Sequence, residues 1–172
     1  MVVATQNPIE MEGTYPLPEA QRDRFMTRIT MGYPSRDSEL EMLERHGAHN
    51  PLDELYPVTH GERITELIDV VGSVYVADVV KDYLVNIVAA TRSHDAVRLG
   101  ASPRASLHLI RTARAKAALA GRDYVIPDDV QAMAIPVLAH RLLPSTRAQL
   151  DGISPVDIVS QILTSTPVPE QA

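Results

Sequence analysis

The residues best placed to do chemistry lie in Gly100-Ala101-Ser102-Pro103-Arg104-Ala105. Ser102 suits a helix N-cap and Pro103 the first helical position, which puts Arg104 in the first turn. The helix N-terminus already carries partial positive charge, so a cation there costs roughly a few tenths of a kcal/mol, up to about 1. A bound anion reverses the sign. Phosphate oxygens accept from the free backbone N–H groups and from the guanidinium together. The plainer reading is a solvent-exposed arginine or a surface ion pair of little consequence.

Two other positions invite the same chemistry. Asn7 in Ala4-Thr5-Gln6-Asn7-Pro8 follows an apolar run, residues 1–5, that reads as a buried strand. A polar amide at such a strand end sits where open α/β sheets bind ligands, and it can accept from a water and donate to a phosphate oxygen. Alternatively it is a turn former ahead of proline. Arg24, in Asp23-Arg24-Phe25, can project from a short helix toward a neighbouring subunit and stabilise charge on a transferred phosphoryl group. Arg22 and Arg28 compete for that role, and a solvated helix face is the simpler alternative.

The elements that must position these residues fall into two regions. Residues 1–34 mix short β-prone runs (1–5 and 27–31) with a Gly- and Pro-rich loop and a short helix over 18–25. Two strands are too little sheet to bury both faces. The 1–5 strand is therefore expected to be frayed, repacked or paired with another chain. From residue 35 the pattern is helical. Helices are expected over 35–45 (capped by Ser35), 62–70, 74–92, 103–119 (stopped by Gly121), from Pro127, and from Ser154. Val76, Val80, Tyr83, Leu84, Ile87 and Val88 fall at helical spacing. The reading is mainly α: the C-terminal remnant of an α/β core over 1–34, a helical lid over 35–166 and a flexible tail over 167–172.

Composition narrows the function classes. Across 172 residues the net charge is −6, which opposes broad nucleic-acid or anionic-membrane binding. There is no cysteine, hence no disulfide, thiol nucleophile or cysteine metal site, and this fits the cytoplasm. No apolar run reaches the roughly 18 residues of a membrane span. With one Phe and no Trp, the core must rest on Val, Leu, Ile and Ala.

The run Asn7-Pro8-Ile9-Glu10-Met11-Glu12-Gly13-Thr14-Tyr15-Pro16-Leu17-Pro18-Glu19-Ala20-Gln21, followed by Asp23-Arg24-Phe25, resembles the MoxR-family AAA+ ATPases. The likeness continues through Ser102-Pro103-Arg104-Ala105 and a His140-Arg141 pair, and so covers nearly the whole chain. The resemblance implies that Asn7 is the sensor 1 residue placing the attacking water. It implies that Arg24 is the arginine finger acting on the adjacent protomer's ATP. It makes Arg104 the sensor 2 arginine on the ATP phosphate, carried by Ser102 and Pro103. The family usually has an apolar residue where Arg22 stands. It also carries a Gly-x-x-x-x-Gly-Lys-Ser/Thr phosphate loop and a Mg²⁺-binding acidic strand end upstream of the position of Asn7. Neither occurs here.

The resemblance therefore implies ATP and Mg²⁺ in a longer parent, with none bound by this segment alone and no hydrolysis by it. It implies a homo-oligomeric ring, commonly a hexamer. It implies von Willebrand factor A domain partners and chaperone-like work on client proteins. The alternative is a helical adaptor or DNA-binding module without enzymatic activity.

Other candidates carry less. His46 and His49 lack further metal ligands at suitable spacing, and His94, His108 and His140 read as isolated. Glu10, Glu12 and Glu19 have no nearby nucleophile. Arg111, Arg114 and Lys116 read as a solvated face. Asp128-Asp129 suits a helix dipole better than a metal. His140-Arg141 has no assignable role beyond a helix-end cation.

Overall fold

The computed structural model describes residues 2–6, 17–45 and 51–169. The described elements are α1 (Glu19–Arg22), α2 (Arg36–Arg45), a 3-10 turn (Pro51–Glu54), α3 (Gly61–Ser73), α4 (Asp78–Ser93) and β1 (Val97–Leu99), then α5 (Pro103–Leu119) and α6 (Pro127–Leu138). A second 3-10 turn (Ala139–Arg141), β2 (Leu143–Pro144), α7 (Thr146–Leu150) and α8 (Pro155–Ser165) complete them.

The helix boundaries follow local chemistry. Pro103, Pro127 and Pro155 each stand at the first position of a helix, where the missing N–H costs nothing. Ser35 Oγ accepts from the Ser38 N–H at the start of α2 (3.2 Å). Ser154 and Asp157 form a reciprocal capping box on α8 (3.2 and 2.9 Å). Asp129 in the first turn of α6 accepts from the Ile126 N–H (3.0 Å) and takes Arg122 bidentately at 2.7 Å through both oxygens. Gly121, with φ +74°, ends the α5 region where a side chain would be strained.

The core lies among α4, α5, α6 and α8. Ile87, Leu109, Leu138, Ile158 and Ile162 are fully enclosed there. Ala105, Ala113 and Ala117 on α5 are also fully buried, and α5 packs against α6. No residue of α3 is buried, although it touches α5.

The structure differs from the sequence-based expectations at defined places. Residues 2–6 form no strand, and Val2 and Val3 are exposed, because no described segment offers them a ladder partner. Residues 27–31 are likewise non-strand, with Ile29 and Met31 exposed. The strands that do form are β1 and β2, which pair antiparallel inside the helical region (Val97↔Pro144, Leu99↔Leu143). The helix expected from residue 74 begins at Asp78. Val74 and Val76 point inward and Tyr75 outward, a period of two, and Tyr75 bridges Tyr124 through Tyr75 N–H to Asp123 O (2.8 Å) and Val125 N–H to Tyr75 O (2.9 Å).

The loop that leads into α5 is pressed against the end of α4. The Ala101 N–H donates to Thr91 Oγ1 (3.0 Å), and Arg92 Nε donates to the Ala101 carbonyl (2.8 Å). A Cβ on Gly100 would stand 2.6 Å from the Thr91 carbonyl oxygen and 2.7 Å from Arg92 Cα. Both obstacles are helix backbone and cannot swing away. Gly100→Ala is therefore expected to destabilise the fold by roughly 1–3 kcal/mol, as overpacking does. Urea unfolding would show this as a lower midpoint at unchanged slope. An unchanged midpoint would mean that the loop yields freely.

Candidate functional site

Arg104 occupies the first turn of α5, and its side chain is 49% exposed. Ser102 is the N-cap by position, but its hydroxyl makes no cap bond; it donates to Asp23 instead, 3.1 Å from each carboxylate oxygen. That corrects the expectation of a hydroxyl cap. A carboxylate is the stronger acceptor and lies within reach, so the hydroxyl turns to it. Arg104 Nη1 stands 3.5 Å from Asp23 Oδ2. The anion that a first-turn cation calls for is thus present in the fold, as the carboxylate of a residue 81 positions away.

Asp23 follows the end of α1 and serves a second arginine. Arg141 Nε donates to Asp23 Oδ1 (3.2 Å), and the Arg141 side chain is 1% exposed. Its other donors meet a cage of acceptors. Nη2 reaches the Asp23 carbonyl (3.2 Å), the Phe25 carbonyl and His108 Nδ1 (2.6 Å). Nη1 reaches the Val137 carbonyl, the Met26 carbonyl (3.3 Å) and His140 Nε2 (2.9 Å). Val137 is near the C-terminal end of α6, where carbonyls lack helical partners and a cation is favoured. The Arg28 N–H takes the neighbouring Pro136 carbonyl (2.9 Å).

Arginine has no acceptor, so both imidazoles must accept from it. His140 Nε2 also lies 3.3 Å from the Phe25 carbonyl, and neither ring can carry a second proton without facing the guanidinium as a cation. Burial is the main cause lowering the His108 pKa, with Arg141's charge adding to it. Burial and then Arg141 push His140 down to about 4, against partial support from the Phe25 and Pro136 carbonyls. The expectation that His108 and His140 are isolated is overturned. Arg141 is a buried anchor, not a simple helix-end cation. Its flanks, Leu138-Ala139 before and Leu142-Leu143 after, were the available signal: a charge inside an apolar run has to find a partner.

Of the residues singled out in the sequence, Ser102 and Arg104 converge on Asp23. Arg24 is exposed in the turn just past α1, not on the helix itself, because α1 stops at Arg22. Pro103 is the first residue of α5. Asn7 lies outside the described residues, as do His46, His49, Glu10 and Glu12. Among the described residues no group of three or more His, Cys, Asp or Glu is arranged to hold a metal ion, and no helix is long and apolar enough to cross a membrane.

Comparison with known proteins fits this arrangement. Residues 89–162 match the AAA lid domain, and residues 1–27 match the ATPase family associated with various cellular activities (AAA). The uncharacterized protein YeaC of Bacillus subtilis (strain 168) is 46% identical over 170 residues, 99% of this chain and 53% of YeaC. Chaperone MoxR1 of Mycobacterium tuberculosis (strain ATCC 25618 / H37Rv) is 41% identical over 99% of this chain and 47% of its own length. The chain belongs to the MoxR family of AAA+ ATPases. Protein MoxR of Paracoccus denitrificans is 30% identical over 98% of the chain and 56% of its own length. A Cytophaga hutchinsonii crystal structure, described as a candidate ATPase, superposes with TM-score 0.87 at 34% identity, covering 96% of this chain and 53% of that one. The chain therefore spans about half the length of the MoxR-family relatives it matches.

The neutral histidines set a pH dependence. In the unfolded chain His140 takes a proton as pH falls below about 6.5; in the folded chain it resists until about 4. The unfolded state binds more protons between those values, so stability present above pH 6.5 is lost as pH falls toward 4. The loss from His140 is at most roughly 3 kcal/mol. Unfolding free energies of the chain and of His140→Gln should diverge in slope across this window, the variant being the flatter. Parallel slopes would contradict a buried neutral imidazole.

Proposed function

We propose that the chain is the nucleotide-sensing and lid portion of a MoxR-type AAA+ ATPase that couples ATP binding and hydrolysis to chaperone-like remodelling or maturation of client proteins. Residues 1–34 belong to the α/β core, 35–166 form the lid and 167–172 are a tail. Asn7 is sensor 1, Arg24 the arginine finger acting in trans, and Arg104 sensor 2 on the ATP phosphate, presented by Ser102 and Pro103. The working assembly is a cytoplasmic homo-oligomeric ring, a hexamer, with von Willebrand factor A domain proteins among its partners. ATP and Mg²⁺ are held with a phosphate loop outside this chain, which alone does not hydrolyse ATP.

The observation that carries the reading is the state of Arg104. A half-exposed guanidinium at a helix N-terminus is held at 3.5 Å by one carboxylate and retains access to solvent. A phosphate offers the guanidinium more acceptor oxygens than one carboxylate does; Pro103 has no N–H and the Ala105 N–H is bonded to the Ser102 carbonyl (2.9 Å), so the guanidinium is the main donor here. Arg104 at the start of α5 fits the phosphate end of the nucleotide.

The test joins this chain to the remaining half of YeaC and measures ATP turnover. Arg104→Ala is expected to lower kcat/KM at least roughly tenfold, about 1.4 kcal/mol of transition-state stabilisation. The thermal midpoint should stay nearly unchanged, because so exposed a pair adds little to stability. Equal turnover in the two proteins would remove Arg104 from the nucleotide site.

A further inference from the structure

Residues 23–28 are joined to the lid helices more firmly than their place in the chain suggests. The carbonyls of Asp23, Phe25 and Met26 all accept from Arg141, the Asp23 carboxylate takes the Nε of the same guanidinium, and the Arg28 N–H bonds the Pro136 carbonyl. Arg141 itself is fixed by Val137, His108 and His140, which belong to or adjoin α5 and α6. Arg24 sits inside this gripped stretch, with its neighbours' carbonyls held and its own side chain exposed. The same Asp23 carboxylate reaches out to Ser102 and Arg104 at the start of α5.

We propose that Arg141, from the lid, is a positioning residue that fixes the backbone of the core turn bearing Arg24 and so the direction in which that side chain leaves the turn. The contact between Arg104 and Asp23 is the exchangeable one, being half-exposed and long. The contacts of Arg141 are permanent, because opening them would strand a buried charge. This inference rests on the reading of Arg24 as an arginine finger acting in trans.

The conservative variant is Arg141→Lys, which keeps the charge and loses the fork that grips several acceptors at once. In the 172-residue chain, amides of residues 24–28 should exchange at least roughly tenfold faster, while those of α4 and α5 keep their rates. In the protein joined to the remaining half of YeaC, kcat should fall at least roughly tenfold with KM for ATP within about twofold, since a finger acts on the transition state. Arg24→Ala combined with Arg141→Lys should be no slower than Arg24→Ala alone, because both act through one guanidinium. Unchanged kcat, multiplying losses, or equal loosening of α4 and α5 would each overturn the proposal.

Arg24→Ala with wild-type turnover would instead remove the finger reading and leave the exchange result standing. A measurement with Arg141 intact guards against a variant that fails to fold. The chain has no cysteine, so spin labels at Arg24→Cys and Ala132→Cys are uniquely placed. In the 172-residue chain their distance distribution should be narrow; a broad one would overturn the proposal.

Discussion

A guanidinium with 1% of its surface exposed governs the arrangement of everything around it. Removing such a charge from water costs several kcal/mol, and only close pairing with every donor satisfied offsets that. Arg141 meets the demand with one carboxylate, four backbone carbonyls and two imidazoles. These acceptors come from three stretches: residues 23–26, His108 on α5, and Val137 with His140 at the end of α6. Five N–H groups face seven acceptors, so the carbonyls and imidazoles share donors, and the Asp23 carboxylate is the group that balances the charge. Burying Arg141 therefore favours docking of the 23–26 turn, which supplies four of its seven acceptors.

The same constraint explains the electrostatics one layer out. Asp23 has lone pairs for more than one partner. Its inner oxygen meets Arg141, and both oxygens meet Ser102, whose hydroxyl is thereby drawn away from capping α5. What reaches Arg104 is the remainder, a longer contact at 3.5 Å facing solvent. The carboxylate thus offers a graded set of bonds, tight toward the core and loose toward the surface. A negative charge beside the N-terminus of α5 also complements the helix dipole. A sequence that placed Arg104 in a first turn without Asp23 would leave like charges together.

Much of the scaffold was legible from local signals. Prolines at first helical positions, the Ser154 capping pattern and the stop at Gly121 mark the starts and ends of α5, α6 and α8 where the structure has them. The small sheet was not legible. β1 and β2 have three and two residues, too few for alternation to register, and their pairing depends on helices bringing them together. Tyr75 and its neighbours are ambiguous for the opposite reason, because Val76 and Val80, four apart, satisfy a helical spacing as well as a short extended segment followed by a helix. The site was half legible. Arg104 stood out through its clash with the helix dipole, a local argument. The Asp23–Arg141 contact spans 118 positions and the Arg141–His108 contact 33, and no periodicity encodes either.

The role proposed for Arg24 sets a buried anchor and an exposed effector next to each other. A side chain meant to reach another molecule must be free at its tip, yet a free tip on a free backbone loses conformational entropy on every engagement. Here the two requirements fall on different residues. The carbonyls on either side of Arg24, from Asp23 and Phe25, are held by Arg141, and the Arg24 N–H is bonded to the Gln21 carbonyl (3.1 Å). The backbone is fixed while the guanidinium stays in solvent. An arginine on an untethered loop would sample many directions and stabilise a developing charge only in a few of them. Fixing the backbone removes that part of the cost before any encounter, which is what preorganisation means for a group acting across an interface.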